Sequence, residues 1–264
     1  MILRLLLTIF ALTFSSHALA AHDHSAWDAL LKKNVVSING GVSTQVNYGK
    51  FKADRAKLKT YLDSLSSVSR TQFNRWSKDD QLAFLINAYN AWTVELILTE
   101  YPNLKSIKDL GSVLRSPWKK SFIPLLGKTV SLDDIEHGMI RGSGKYNEPR
   151  IHFAVNCASI GCPALARSAF RGANLSAQLN AVTKSFLRDR SRNRLKNGRL
   201  EVSSIFKWYR GDFQDGWRGA DNLHQFLAIY ANALGLTKGQ QAALKSGKTR
   251  ITFLSYDWRL NRTR

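Results

Sequence analysis

The stretch from Ser77 to Pro102 constrains the fold more than any other part of the chain. Ser77-Lys78-Asp79-Asp80 has the form of a capping box that opens a helix, and Pro102 stops that helix at about Tyr101. Within it Leu82, Phe84, Leu85, Ile86, Tyr89, Trp92, Val94, Leu96, Ile97 and Leu98 cannot share one helical stripe. A helix that is apolar almost all round has to be enclosed, so the rest of the chain must wrap it. The material is there: hydrophobic residues make up 44% of the 264 residues and aromatics 11%, which excludes disorder throughout and supplies a sizeable core. No internal repeat, Pro-rich tract or Gly/Ser linker divides the chain, and one continuous domain is the simpler expectation.

Around this helix the patterning is mostly helical. A short helix is expected near Trp27 to Lys33, and Leu58, Tyr61, Leu62 and Leu65 mark a helix with one buried face. FIPLLGKTVSL reads as two short strands around Gly127-Lys128, and Ser131-Leu132-Asp133-Asp134 caps a helix closed by Gly142. RIHFAV alternates, with Ile151, Phe153 and Val155 facing one way and His152, Ala154 and Asn156 the other, which predicts a strand. A helix follows from about Leu175 to Arg188, turned inward on Leu175, Leu179, Val182, Phe186 and Leu187, and Asn197-Gly198 suits a two-residue hairpin turn. Further helices are expected near Ser204 to Tyr209, Asn222 to Leu234 and Lys238 to Lys245, with ITFLS as a last strand. The fold class is α+β: a mostly helical single domain with a few short β-strands and a central apolar helix.

Residues 1–20 have Arg4, an apolar run from Leu5 to Phe14 and Ala18-Leu19-Ala20, the order of a secretory signal peptide cleaved near Ala20. The run is too short to span a bilayer, and no later stretch is long and apolar enough, so a secreted or periplasmic protein without a transmembrane anchor is expected. Export bears on the meaning of the charge. Thirty-nine Lys plus Arg against 19 Asp plus Glu leave +20, which favours anionic partners. Nucleic acid is scarce outside the cytoplasm, so anionic envelope components or a small molecule are the expected partners. Much of the charge lies in one tract, Arg188, Arg190, Arg192, Arg194, Lys196, Arg199, Lys207 and Arg210, either a solvated surface or an anion-facing patch. Neither G-x-G-x-x-G, G-x-x-x-x-G-K-[ST] nor G-x-S-x-G occurs, and no cofactor is demanded.

Six stretches in order, AFLINAYNAWTV (83–94), SLDDIEHGMIR (131–141), EPRIHFAVNCASIGCPAL (148–165), FLRDRSRNR (186–194), IFKWYRGDF (205–213) and FLSYDWRLN (253–261), resemble the domain of unknown function 547 (DUF547) family. The resemblance runs from about Ser77 to Asn261. It implies a DUF547-like domain over 77–261, preceded by a helical segment at 21–76, with an α+β fold often exported in bacteria. It brings no established activity and no catalytic residues, so any chemistry has to be argued from the side chains.

His152 lies five residues before Cys157, and a thiol near an imidazole is the minimum for a thiolate nucleophile. Asn87 and Asn90 share a face of the central helix, where buried amides need partners and one could orient an imidazole. Cys157, His152 and Asn90 therefore form a candidate catalytic set, with Asn87, Asn156, Glu136 and His137 as possible pocket residues. Against it, Cys157 and Cys162, with four residues between them in an exported chain, favour a disulfide contributing about 2 kcal/mol by chain entropy. A disulfide-bonded Cys157 is no nucleophile. Equally, the two asparagines can tie loop backbone to the helix. Cys157, Cys162, His152 and His137 also suit tetrahedral zinc in type, provided both thiols stay reduced. His22 and His24 read as an exposed triplet with Asp23 at a frayed terminus, able to bind metal only weakly. Trp208, Tyr209, Phe206 and Phe213 are expected as core on one side of a helix, although they could stack on a sugar ring, and Tyr256-Asp257-Trp258 is expected to pin the C-terminal end. Two functions stay open: a non-catalytic envelope domain binding an anionic or small ligand, and a thiol-dependent hydrolase or acyl transferase using Cys157 and His152.

Overall fold

The computed structural model of the chain describes residues 21–112 and 115–263, and the expected signal peptide lies outside the described residues. The first helix, α1 (Ser25–Asn34), leads into a hairpin of β1 (Val35–Ile38) and β2 (Ser43–Val46), then α2 (Tyr48–Ala53), α3 (Arg55–Ser66), α4 (Arg70–Asn74) and the long α5 (Lys78–Leu98). Every residue of α5 from Gln81 to Leu98 is buried, as an all-round apolar helix requires. Its start is fixed as expected, with the Asp80 amide donating to Ser77 Oγ at 3.1 Å. Against it α3 lays Leu58, Tyr61, Leu62 and Leu65, the face its periodicity marks, while α1 adds Trp27, whose ring stacks on Tyr61 at 5.8 Å.

The chain before α1 is packed, which corrects the frayed-terminus expectation. His24 is buried with Nδ1 2.7 Å from the Tyr61 hydroxyl, and His22 rests its Nε2 3.2 Å from Ser64 Oγ. Two aromatic neighbours, Tyr61 and Phe84, hold both rings in place. The β1–β2 hairpin went unforeseen. Its strands are four residues each and Val36 points to solvent, so alternation is weak, and the legible signal was the turn Asn39-Gly40-Gly41, all at positive φ.

After α5 come a hairpin of β3 (Ile123–Leu125) and β4 (Lys128–Val130), a π-helix at Asp134–Arg141 and a short 3₁₀ helix at Pro149–Phe153. The hairpin turns on Leu126 and Gly127, at φ 52 and 79, one residue earlier than expected. Next is α6 (Leu175–Arg188), then β5 (Arg194–Lys196) and β6 (Arg199–Ser203), joined through Asn197 and Gly198 at φ 50 and 71, the backbone a type I′ turn needs. α7 (Ile205–Trp208), α8 (Leu223–Ile229), α9 (Lys238–Lys245) and β7 (Arg250–Leu254) complete the chain, with β7 parallel to β6. Helix outweighs strand and the sheets are small, so the molecule is α+β as expected. Among the described residues no helix is long and apolar enough to cross a membrane.

Two groups of buried side chains meet near residue 153. The larger surrounds α5 and includes Ile151 and Ala154; the smaller contains Phe153 with Phe186, Phe206, Phe213 and Phe226. RIHFAV is therefore not a strand. It is a tight turn of 3₁₀ helix whose residues from Pro149 to Phe153 are all buried, sending neighbouring side chains into both cores. Alternation cannot distinguish this from a strand. The contrary signal was Glu148-Pro149, an N-cap whose carboxylate accepts the Arg150 amide at 3.2 Å and a proline at the first helical position.

Candidate functional site

His152 comes off the 3₁₀ turn with 2% of its surface exposed. Its Nε2 lies 2.7 Å from Asp212 Oδ2, and its ring stacks on Tyr209 at 4.0 Å. A carboxylate can only accept, so Nε2 carries the proton and Nδ1 presents a lone pair. That Nδ1 is buried without a hydrogen-bond partner, 4.0 Å from Glu136 Oε1. Burial pushes the His152 pKa below the ordinary imidazole value, outweighing the pull of the Asp212 bond and the Glu136 charge, and keeps the ring neutral. Asp212 is also partly buried, which alone would raise its pKa. The two bonds from Arg141, at 2.6 and 2.8 Å, and the one from His152 win and hold it well below the usual carboxylate range.

The π-helix places the other members of this network. Its i→i+5 bonding, closed by the Gly142 amide donating to His137 O at 2.8 Å, brings residues five apart onto one face. Glu136 and Arg141 are such a pair, and both reach the His152–Asp212 unit. Arg141 also donates to His137 Nδ1 at 2.8 Å. The buried phenols of Tyr89 and Tyr209 stand near the Glu136 charge; burial first, and that charge second, drive their pKa values up and keep them protonated.

These groups form one wall of a cleft of about 220 Å³. Tyr89 and Val155 come to it from the larger core, and Ile205 and Tyr209 from the smaller. Trp118, Trp208, Tyr256 and Trp258 make an aromatic side, with Trp208 stacked on Trp258 at 5.7 Å and Lys108 Nζ 3.8 Å from the Trp258 ring centre. Phe206 and Phe213 are core, as expected, but Trp208 is 47% exposed and faces the cleft, because α7 ends at Trp208 and turns it away from the core. Tyr256 and Trp258 likewise line the cleft rather than merely fastening the C-terminal end.

Cys157 and Cys162 also line the cleft, their sulfurs at disulfide distance and their Cα atoms 6.1 Å apart. The Cys157 amide donates to Cys162 Sγ at 2.8 Å, and Cys157 Sγ is 3.1 Å from the Tyr256 hydroxyl. The loop between them is held by backbone as well. Ile160 and Gly161 donate to Arg259 O and Asp257 O, each at 2.8 Å, and Asn261 donates to Ala158 O at 3.0 Å. Gly161 is needed here, since a Cβ would lie 2.9 Å from the Tyr256 ring and 3.0 Å from the Asp257 nitrogen. From the basic tract, Arg192 reaches the same loop and donates to Ile160 O.

Asn90 is not part of the His152 arrangement. Its amide donates to Ala154 O at 2.9 Å and accepts from the Asn156 amide at 2.8 Å, so both ends are used on backbone and Asp212 orients the imidazole instead. Asn87 does the same for Phe170, at 2.8 and 3.0 Å, and Asn156 donates to Pro163 O at 2.7 Å. Both central-helix asparagines are thus ties, and the catalytic set of Cys157, His152 and Asn90 is not assembled. Zinc does not fit either: the two sulfurs face each other and Arg141 occupies His137 Nδ1. Among the described residues no group of three or more His, Cys, Asp or Glu converges as a ligand set. Asp212 and Arg141 escaped sequence reasoning although both lie in distinctive blocks, YRGDF and HGMIR; no local pattern joins residues 71 apart.

Behind the ion pair is a second, more polar cavity of about 320 Å³ lined by Arg141, Tyr146, Glu148, Asp212 and Asp215. It shares no lining residue with the first cleft: Asp212 and Arg141 line it, while their neighbour His152 lines the first.

A family model described as a protein of unknown function, DUF547, matches residues 73–187. It covers Glu136, His152 and the cysteine pair and stops short of Tyr209, Asp212 and Tyr256. Neither the curated proteins nor the solved structures contain a significant match.

Proposed function

From the premise that residues 73–187 form a DUF547 domain, a family of unknown function, we propose that the chain is an exported domain that binds a small molecule in the aromatic cleft and performs acid–base chemistry on it through His152. One observation carries this reading: a buried imidazole among the residues lining the cleft is held by Asp212 at one nitrogen while the other nitrogen has no partner. A buried acceptor left unpaired costs about 1–3 kcal/mol, and a ligand bearing an O–H or N–H would remove that cost. Such a proton would pass to Nδ1. Asp212 would then stabilise the imidazolium while Glu136, 4.0 Å away, faces the same atom. The aromatic side would hold an apolar or ring portion of the ligand.

The test is a screen of hydroxyl- and amine-bearing small molecules, read by tryptophan fluorescence because Trp208 and Trp258 line the cleft. Saturable binding is expected, abolished in His152→Gln and weakened at least about tenfold in Asp212→Asn, with His152→Gln melting no lower than the unsubstituted protein. Binding should be constant through neutral pH and decline in acid, below the ordinary imidazole pKa, as Nδ1 takes up a proton. If His152→Gln binds normally and only loses stability, the imidazole belongs to the core and the reading is wrong.

A further inference from the structure

We propose that the Cys157–Cys162 pair lining the cleft is a thiol–disulfide exchange site that reacts with small organic thiols through Cys157. This does not depend on the role of His152. Three observations support it. The pair is asymmetric: Cys157 is only partly buried and lines the cleft, whereas Cys162 has 4% of its surface exposed. That is the division between an attacked sulfur and a leaving one. Each sulfur also has a hydrogen-bond donor suited to a thiolate, the Cys157 amide for Cys162 and the Tyr256 hydroxyl for Cys157, at 2.8 and 3.1 Å. Partly buried Tyr256 stays protonated and available to donate, desolvation pushing its pKa well up. Finally, the loop does not need the covalent bond. Ile160, Gly161 and Asn261 bond it to the C-terminal segment, Arg192 holds Ile160 O, and Cys162 donates to Ser159 O at 3.1 Å, so it keeps its place with the sulfurs apart. A link spanning five residues constrains the unfolded chain less than a long-range disulfide would.

The exchange balances as follows. A thiolate RS⁻ attacks Cys157 Sγ, the Cys157–Cys162 bond breaks, and its electron pair leaves on Cys162 Sγ, which accepts the Cys157 N–H. A second thiolate attacks the sulfur of R in the mixed disulfide, and Cys157 leaves as a thiolate accepting the Tyr256 O–H. Two thiols become one organic disulfide, the pair gains two electrons, and the two thiol protons end on the two cysteines or in solvent. An organic disulfide reverses the sequence and restores the pair.

The experiment equilibrates the full chain in glutathione buffers running from disulfide-rich to thiol-rich, traps thiols by alkylation and reads intact mass. A reversible two-thiol transition within that range is expected, with the reduced protein melting within a few degrees of the oxidised one. In Cys162→Ser, Cys157 should take one glutathione at least about tenfold faster than Cys162 does in Cys157→Ser. Tyr256→Phe should move the equilibrium toward the disulfide by about fivefold, the effect of one hydrogen bond. The cysteine variants test the assignment even if Tyr256→Phe does not fold. A pair that stays closed in every glutathione buffer, a reduced chain that loses its fold, or two cysteines of equal reactivity would each overturn it.

Discussion

Three histidines show how the same side chain serves different ends. His152 has one nitrogen committed and one bare. His24, also buried, is bonded to Tyr61 and packed on Phe84. Burial lowers its pKa to about 3, reinforced by the neighbouring His22 and Arg171 charges. The unfolded chain protonates this ring near the ordinary value of about 6.5. Protons therefore favour the unfolded state between those values: the neutral ring contributes fully above pH 6.5, and its contribution is lost as pH falls toward 3. His22, whose pKa burial also lowers, acts in the same direction. Urea midpoints measured from pH 7 to pH 4 should fall steadily, and His24→Gln should flatten that slope while lowering the pH 7 midpoint. An unchanged slope would exclude His24 as its source. At this scale the sequence singled out His152, but from a strand that does not exist. It missed Asp212, because the partner of a buried side chain is chosen by tertiary packing rather than by spacing.

The elements around the site are fastened by asparagine amides. On α5, Asn90 closes a two-bond ring with the backbone of Ala154 and Asn156, and one helical turn earlier Asn87 closes another with Phe170. Removing either side chain leaves two buried backbone groups unpaired. Asn90→Ala should therefore cost about 2–6 kcal/mol, and Asn87→Ala a similar amount, measured by urea unfolding. The Asn90 change should also disturb the segment that carries His152 and the cysteines, so ligand binding should weaken with it; the Asn87 change should spare binding. Most elements were legible because their signals are local. Caps at Ser77 and Ser131, the Asn197-Gly198 turn and the faces of α3 and α6 all follow from short-range geometry. The π-helix and the 3₁₀ turn were not legible in the same way. A widened or tightened turn is stabilised by what its side chains meet across the molecule, here Arg141 with Asp212 and Phe153 with the second core. These two irregular turns are also the ones that build the site.

For the whole molecule, the net charge of +20 tells less about partners than it first suggests. Arg190 donates to Leu187 O and Ala233 O, Arg192 pairs with Asp189 and holds the cysteine loop, and Arg194 pairs with Glu201, so part of the basic tract serves the fold. Arg188, Lys196, Arg199, Lys207 and Arg210 stay exposed for anionic surroundings. The proposed export would place such a surface and an oxidised cysteine pair in a compartment that suits both. N-terminal sequencing of the protein from its native compartment should begin at or within a few residues of Ala21; intact Met1 in a cytoplasmic fraction would contradict export. The cleft sits where the two cores meet, and His152 and Asp212, joined by one hydrogen bond, line different cavities. Asp212, with 27% of its side chain exposed, belongs to the second one. A ligand that fills the aromatic cleft therefore leaves the imidazole's carboxylate partner in touch with a space the ligand does not occupy.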